Sequence, residues 1–394
     1  MSRPDSNFPV DDAYVIDTLR ALVQINSINP SFTDGRTNET EIAAWVVEEL
    51  ERLGLAVTRV EPEPGRPSVV GRPPGRTGGP SILLYAHLDT VGVDGMTDPF
   101  DATIHEGRLH GRGAYDMKSG LAACLGAVRA LVEAGHALPG EVLLAAVADE
   151  EVASLGMTSV LETIVPDAAI VTEPTDLRVC VAHKGFSWIQ VETFGRAAHG
   201  SRFEEGVDAN LRMGRFLGRL ERLETELRGR QAHPLLGSPS LHAGVLRGGT
   251  APSVYAERCR VEIERRTLPE ETEETVVAEL QALVDELVRE DSDYRAAVTP
   301  LLARTGFENR PDAPVVRAVR EAASGVLGRE PPIIGESYWM DAALLAARGV
   351  DTVAFGASGA GAHAAGEWVE LETVVQLGRI LAGAAVRYLE ARAG

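Results

Sequence analysis

The chain has 394 residues, 44% of them hydrophobic and 24% charged, with a formal net charge of −20; that length allows two or three compact units with ample core. So acidic a chain lacks the basic footprint that a phosphate backbone demands, which excludes nucleic acid as a partner. No window approaches the roughly 18 uncharged apolar residues of a membrane span, and the polar start Met1-Ser-Arg-Pro-Asp-Ser-Asn7 has no apolar signal core, so a cytoplasmic protein is expected.

In chain order, Asp12 to Ile25 carries Val15, Leu19, Leu22 and Val23 at the spacing of an amphipathic helix. A second helix is expected from Asn38, with Glu41 as its capping-box partner, to Gly54. Leu55 to Val60 reads as a strand. The Pro/Gly-rich stretch from Glu61 to Pro80 is turn and loop apart from a short strand near Ser68 to Val70. The run Leu83-Leu84-Tyr85-Ala86-His87-Leu88-Asp89-Thr90-Val91 then ends in a histidine and an aspartate two residues apart, which a strand places on one face. Unpaired polar groups at a buried strand end are costly, and a metal site would explain both.

A glycine-punctuated loop, Gly111 to Gly120, feeds a helix from Leu121 to Val132. Glu141 to Ala148 reads as a buried strand running into Asp149-Glu150-Glu151, and Ala168 to Val171 as another running into Thr172-Glu173-Pro174. Strands alternating with helices predict an α/β domain in three layers with a mainly parallel sheet. Ligands gather at the carboxyl ends of such strands, where His87, Asp89, Glu150, Glu151 and Glu173 all fall.

After Cys180 the pattern changes. Phe186 to Thr193 and Arg258 to Arg266 alternate like half-exposed strands, Val207 to Leu227 and Glu273 to Val288 read as helices, and Tyr294 to Val298 as a further strand. An inserted α+β (ferredoxin-like) domain over 182–300 is expected, interrupting a first domain of 1–181 and 301–394. The return is marked by helices Pro314 to Val326, Met340 to Ala347 and Leu371 to Leu389, with a strand at Asp351 to Phe355. Cys124, Cys180 and Cys259, odd in number and far apart, are expected to be buried thiols.

Taken singly, each polar residue has a bland explanation: Asp116 as a helix cap, Glu150 and Glu151 as a solvated turn, His363 as part of a glycine/alanine loop. Together they supply, once, what two divalent ions require: a bridging carboxylate, a terminal histidine and carboxylate on each ion, and room for a water.

Five segments, in order, resemble the motifs of the co-catalytic zinc hydrolases: His87-Leu-Asp89-Thr-Val, Gly111-Arg-Gly-x-x-Asp116-Met-Lys-x-Gly120, Asp149-Glu150-Glu151, Thr172-Glu173-Pro174-Thr175 and Ala362-His363. That family includes acetylornithine deacetylase, succinyl-diaminopimelate desuccinylase, aminoacylase and carboxypeptidase G. The resemblance implies two divalent metal ions, zinc first with cobalt or manganese as alternatives, bridged by Asp116. His87 and Glu173 would complete one ion, and Glu151 and His363 the other. Asp89 would accept the far ring N–H of His87, Glu150 would be the general base, and the peptide after Asp116 would be cis.

The inserted domain resembles the family's lid and dimerisation domain. Gly195-Arg-Ala-Ala-His199-Gly-Ser is similar to the motif of a histidine that reaches a neighbouring subunit's active site to steady the oxyanion, which implies a homodimer through that domain. Arg266 resembles an arginine that grips a substrate carboxylate, and Ser253, in Gly248-Gly249-Thr-Ala-Pro-Ser253, stands where the family has asparagine. The loop before His363 lacks the family's Gly-Pro-Gly, and Glu336, Tyr338, Trp339 and Asp341 fall where the family commonly shapes its pocket. The expected reaction is hydrolysis of the amide bond of an N-acyl amino acid, acetylornithine deacetylase-like. Desuccinylase, aminoacylase and metallocarboxypeptidase or dipeptidase activities are the alternatives within the family. A catalytically silent metal-bearing binding protein is the alternative of another class, and Glu150 beside a complete ligand set speaks against it.

Overall fold

Residues 8–73, 78–135 and 138–393 are described in a computed structural model; the polar start of the chain lies outside them. Two units emerge: Met1–Val181 with Asn309–Ile334 and Met340–Gly394, and Ala182–Glu308 with Gly335–Trp339.

The first unit opens with α1 (Asp12–Gln24), capped by the Asp11 side chain, and α2 (Thr40–Arg52). No capping box forms on α2: Asn38 Oδ1 accepts from Thr40 N–H at 2.9 Å, while buried Glu39 is committed to Arg66. Then come β1 (Ala56–Val60), β2 (Ser68–Arg72), β3 (Ser81–His87), α3 (Ser119–Glu133), β4 (Glu141–Val147), α4 (Leu155–Thr163), β5 (Ala168–Val171) and β6 (Val179–His183).

In the second unit β7 (Gly185–Phe194), α5 (Ala209–Gly229), β8 (Ser240–Gly248), β9 (Arg258–Thr267), α6 (Glu273–Glu290) and β10 (Ala296–Arg304) follow one another in a βαββαβ order. The first unit resumes with α7 (Pro314–Leu327), β11 (Asp351–Ala354) and the long α8 (Leu371–Ala393).

The first unit's sheet runs β1-β2-β4-β3-β5-β11-β6. It is mixed. Its central strands β4, β3, β5 and β11 are parallel, and the flanks β1–β2, β2–β4 and β11–β6 are antiparallel. Helices α1, α3, α7 and α8 pack on one another and on the sheet, and α2 and α4 pack separately on β1, β2 and β4, giving three layers. Sandwiched strands are buried on both faces, which is why β3, β4 and β5 read as unbroken apolar runs. Their carboxyl ends deliver the chain to the loops that hold His87, Asp149 to Glu151, and Thr172 to Pro174.

The second unit lays α5 and α6 on one face of an antiparallel sheet ordered β8-β9-β7-β10. Ile189, Val191, Val261 and Ile263 from the strands meet Met213, Phe216, Leu220, Leu280, Val284 and Leu287 from the helices. Residues 301–308 belong to this unit, eight beyond the boundary expected from sequence, and Gly335–Trp339 joins them. The reason is local: β10 shifts register between Pro300 and Leu302 and then continues to pair with β7 as far as Arg304. Among the described residues no helix is long and apolar enough to cross a membrane, and Cys124, Cys180 and Cys259 are buried thiols.

Candidate metal centre

The last residue of β3 is His87, 1% exposed. Its Nδ1 is bonded to the backbone carbonyl of Asp89 at 2.9 Å, which fixes the ring and turns Nε2 toward Asp116 Oδ1 at 3.4 Å and Glu173 Oε1 at 3.6 Å. On the other side, His363 Nε2 lies 3.3 Å from Asp116 Oδ2 and 2.9 Å from Glu151 Oε2. Donor atoms of His87, Asp116 and Glu173 all lie within 4.8 Å of one another, as do those of Asp116, Glu151 and His363. Asp116 is common to both groups and turns one oxygen to each, the disposition a carboxylate needs to bridge two cations.

The segment before α3 is irregular, and its Asp116–Met117 peptide is cis. A buried carboxylate from far along the chain organises it. Glu367 accepts backbone N–H bonds from Gly113, Tyr115 and Asp116 at 3.0, 2.9 and 3.0 Å, and a charge-assisted bond from Arg112 at 2.6 Å. At Gly113, where φ is +79°, an added Cβ would stand 2.8 Å from Thr90, so the turn needs glycine.

Asp89 does something other than expected. Its carboxylate lies 3.6 Å from His87 Nδ1, beyond hydrogen-bond reach, and is used instead to hold the tail of β4. Oδ1 accepts from Glu150 N–H at 3.1 Å and Oδ2 from Glu151 N–H at 3.2 Å. The Asn29 amide donates to Asp89 Oδ2 at 2.8 Å and to Asp149 Oδ1 at 2.9 Å. Asp149 sits at φ +70°, and its carboxylate also receives Arg66 and the N–H of Leu155. Glu150 and Glu151 are thus hung from a fixed backbone.

Charge is badly out of balance here. Burial, then Glu173, pushes the Glu150 carboxyl well up; burial, then Asp116, does the same to Glu173 and lifts Glu151 to about 7. Burial opposes charge on Asp116 too, but hydrogen bonds from His363 and His87 hold it below the usual carboxylate range. Burial works against a charged His87, yet Asp116, Glu173, Glu150 and Asp89 raise it, and bonds to Asp116 and Glu151 push His363 up to about 10. Two carboxylate oxygens, Glu151 Oε1 and Glu173 Oε1, are buried with no hydrogen-bond partner, an expensive condition in the absence of a counter-charge. Two divalent cations fit this nitrogen and oxygen donor set and would relieve both problems at once.

The five nominated ligands are brought together, and the Glu150 carboxyl is close enough to Glu173, His87, Asp341 and Glu151 for their charges to shift it. His199, Ser253 and Arg266 belong to the second unit. His199 is exposed, with Nδ1 2.9 Å from Ser201 Oγ, and it bridges to Val254, the neighbour of Ser253. Arg266 gives its Nε to Glu264 at 2.7 Å. Sequence reasoning missed Asn29, Glu367, and the buried pair in which Tyr85 donates its hydroxyl to Asp341 at 2.6 Å. Asn29 carries a turn signal before Pro30, and its side chain does accept from Ser31 N–H, but nothing local announces where its amide points.

This fold with this donor set is that of a metal-dependent hydrolase. The chain belongs to peptidase family M20/M25/M40, whose profile matches residues 83–387. It is 33% identical over 322 residues to the acetylornithine deacetylase of Myxococcus xanthus, covering 80% of this chain and 82% of that one. It is 28% identical over 378 residues to the N-formyl-4-amino-5-aminomethyl-2-methylpyrimidine deformylase of Bacillus subtilis, covering 87% and 88%. Among solved structures, a dinuclear metal-binding M20 peptidase from Bacillus subtilis matches with a TM-score of 0.74 over 96% of this chain and 98% of that one, at 17% identity, a likeness of fold.

Proposed function

We propose that this hydrolase cleaves the amide bond of an N-acyl amino acid, releasing a carboxylate and an amine, with Glu150 as general base. The observation that carries the reading is the meeting of His87, Asp116, Glu173, Glu151 and His363 around one shared carboxylate, with Glu150 beside it. Two divalent cations, zinc first, would supply Lewis acidity that acidifies a water and polarises the scissile carbonyl. Asp116 would bridge them, with His87 and Glu173 on one side and Glu151 and His363 on the other.

Glu150 takes a proton from the attacking water and returns it to the departing nitrogen. A carboxyl raised by burial and by Glu173 suits a group that must both take and give a proton. Asp89 positions it by gripping its backbone N–H. In the second unit, Arg266 would receive the substrate carboxylate, Ser253 would offer one hydroxyl to the substrate, and His199 would steady the oxyanion of a neighbouring subunit in a homodimer, all by their resemblance to family motifs. Acetyl and formyl are the groups that the two relatives are named for removing, which favours a small acyl group. A cytoplasmic location accords with a substrate drawn from amino acid metabolism.

The test is a screen of the zinc-, cobalt- or manganese-loaded protein against N-acetyl amino acids, N-succinyl amino acids and dipeptides. N-acetyl amino acids turned over best is the expected result. Dipeptides alone being cleaved would replace the deacylase reading with a dipeptidase one.

A further inference from the structure

The open face of the second unit's sheet holds an arrangement that core packing does not explain. Aromatic residues make up only 5% of the chain, yet Phe186, Trp188 and Trp339 gather here. Alternation along β7 sends Ile189 and Val191 into the helix-covered core and leaves Phe186 and Trp188 on the opposite face, with Trp188 43% exposed. Phe186 lies 5.2 Å from Trp188 and meets Trp339 edge-on at 6.2 Å and 89°.

Register surrounds these rings with cations. Arg266 of β9 and Arg304 of β10 are the two direct cross-strand neighbours of Phe186. The Arg266 guanidinium stands 5.5 Å from the Phe186 ring centre and that of Arg304 6.0 Å from the Trp339 ring. Lys184 is near enough to Arg266 to feel its charge. One anion pins the set: Glu264 accepts the Trp188 indole N–H at 2.9 Å and Arg266 Nε at 2.7 Å. The Trp339 indole N–H is held by the Thr305 carbonyl at 3.0 Å. Both indoles are therefore fixed with ring surface to spare, and among the described residues the terminal nitrogens of Arg266 make no hydrogen bond.

We propose that this face is a subsite for a neutral planar aromatic group carried next to a carboxylate, the ring against Phe186 and Trp339 and the carboxylate on Arg266. The inference rests on the reading of Arg266 as the residue that receives the substrate carboxylate, and it narrows the substrate to N-acyl aromatic amino acids. A cationic side chain such as that of ornithine is disfavoured, because Arg266 and Arg304 stand on the two strands either side of Phe186.

Two measurements on the zinc-loaded full chain test this. For turnover, kcat/KM for N-acetylphenylalanine exceeds that for N-acetylornithine by at least about tenfold; Trp339→Ala collapses that ratio and Trp339→Phe keeps it. A ratio at or below unity, or one untouched in Trp339→Ala, overturns the proposal. For binding, calorimetry is expected to find 3-phenylpropanoate tighter than propanoate by at least about tenfold, and equal affinities overturn it. Should the loaded protein hydrolyse no N-acyl amino acid at all, the deacylase reading fails while the subsite is still decided by the binding measurement.

Discussion

Glu367 receives the backbone N–H of Asp116 at 3.0 Å from 251 positions further along the chain, and with Gly113, Tyr115 and Arg112 on the same carboxylate it fixes where the carboxylate common to both donor groups stands. Removing it strands three N–H groups and a buried guanidinium. Glu367→Ala is therefore expected to destabilise the protein by about 3–5 kcal/mol and to lower bound metal below two equivalents. A thermal midpoint and metal content equal to wild type would refute this account of the loop.

Glu150 is proposed as the base and belongs to neither donor group. Glu150→Ala should lower kcat by at least about a hundredfold while elemental analysis still finds both metals. Loss of metal in parallel with activity would move Glu150 from base to ligand.

His363 is more than half exposed, and its Nε2 lies against Asp116 and Glu151. His363→Ala is expected to lose one of two metal equivalents while the metal-free protein unfolds at the wild-type temperature. Retention of both equivalents in equilibrium dialysis would remove His363 from the centre.

Stripping metal with a chelator leaves Asp116, Glu151, Glu173 and Glu150 to repel one another. The stripped protein should be inactive and melt at a lower temperature, and zinc should restore both properties with an increment that grows with free metal concentration. An unchanged melting curve would mean that the carboxylates have another counter-charge.

Asn29 separates Asp89 from Asp149 with one amide that donates to each. Asn29→Asp places a third carboxylate between them and is expected to cost about 2–4 kcal/mol in chemical denaturation. A loss below about 0.5 kcal/mol would show that the bridge is dispensable.

The candidate metal ligands were legible because each follows an apolar run or a glycine loop that sequence marks plainly: His87 closes β3, Glu151 follows β4 and Glu173 follows β5. The parallel centre of the sheet was legible for the same reason. What escaped was everything set by distant pairing. Glu41 looked like half of a capping box, but Glu39 had been claimed by Arg66, 27 residues on. The strand read over Tyr294 to Val298 instead starts at Ala296, slips its register between Pro300 and Leu302 and runs on to Arg304. Asp89 looked like a partner for the His87 ring, yet the backbone carbonyl two bonds from its side chain already occupied that nitrogen.

Glu150 and Glu151 hang side by side from the two oxygens of Asp89. The two carboxyls therefore cannot be re-aimed one at a time, since any change that tips one tips its neighbour. Divergence toward new substrates must leave that peptide alone and rewrite residues elsewhere, and the exposed aromatic positions of the second unit are the natural place for it.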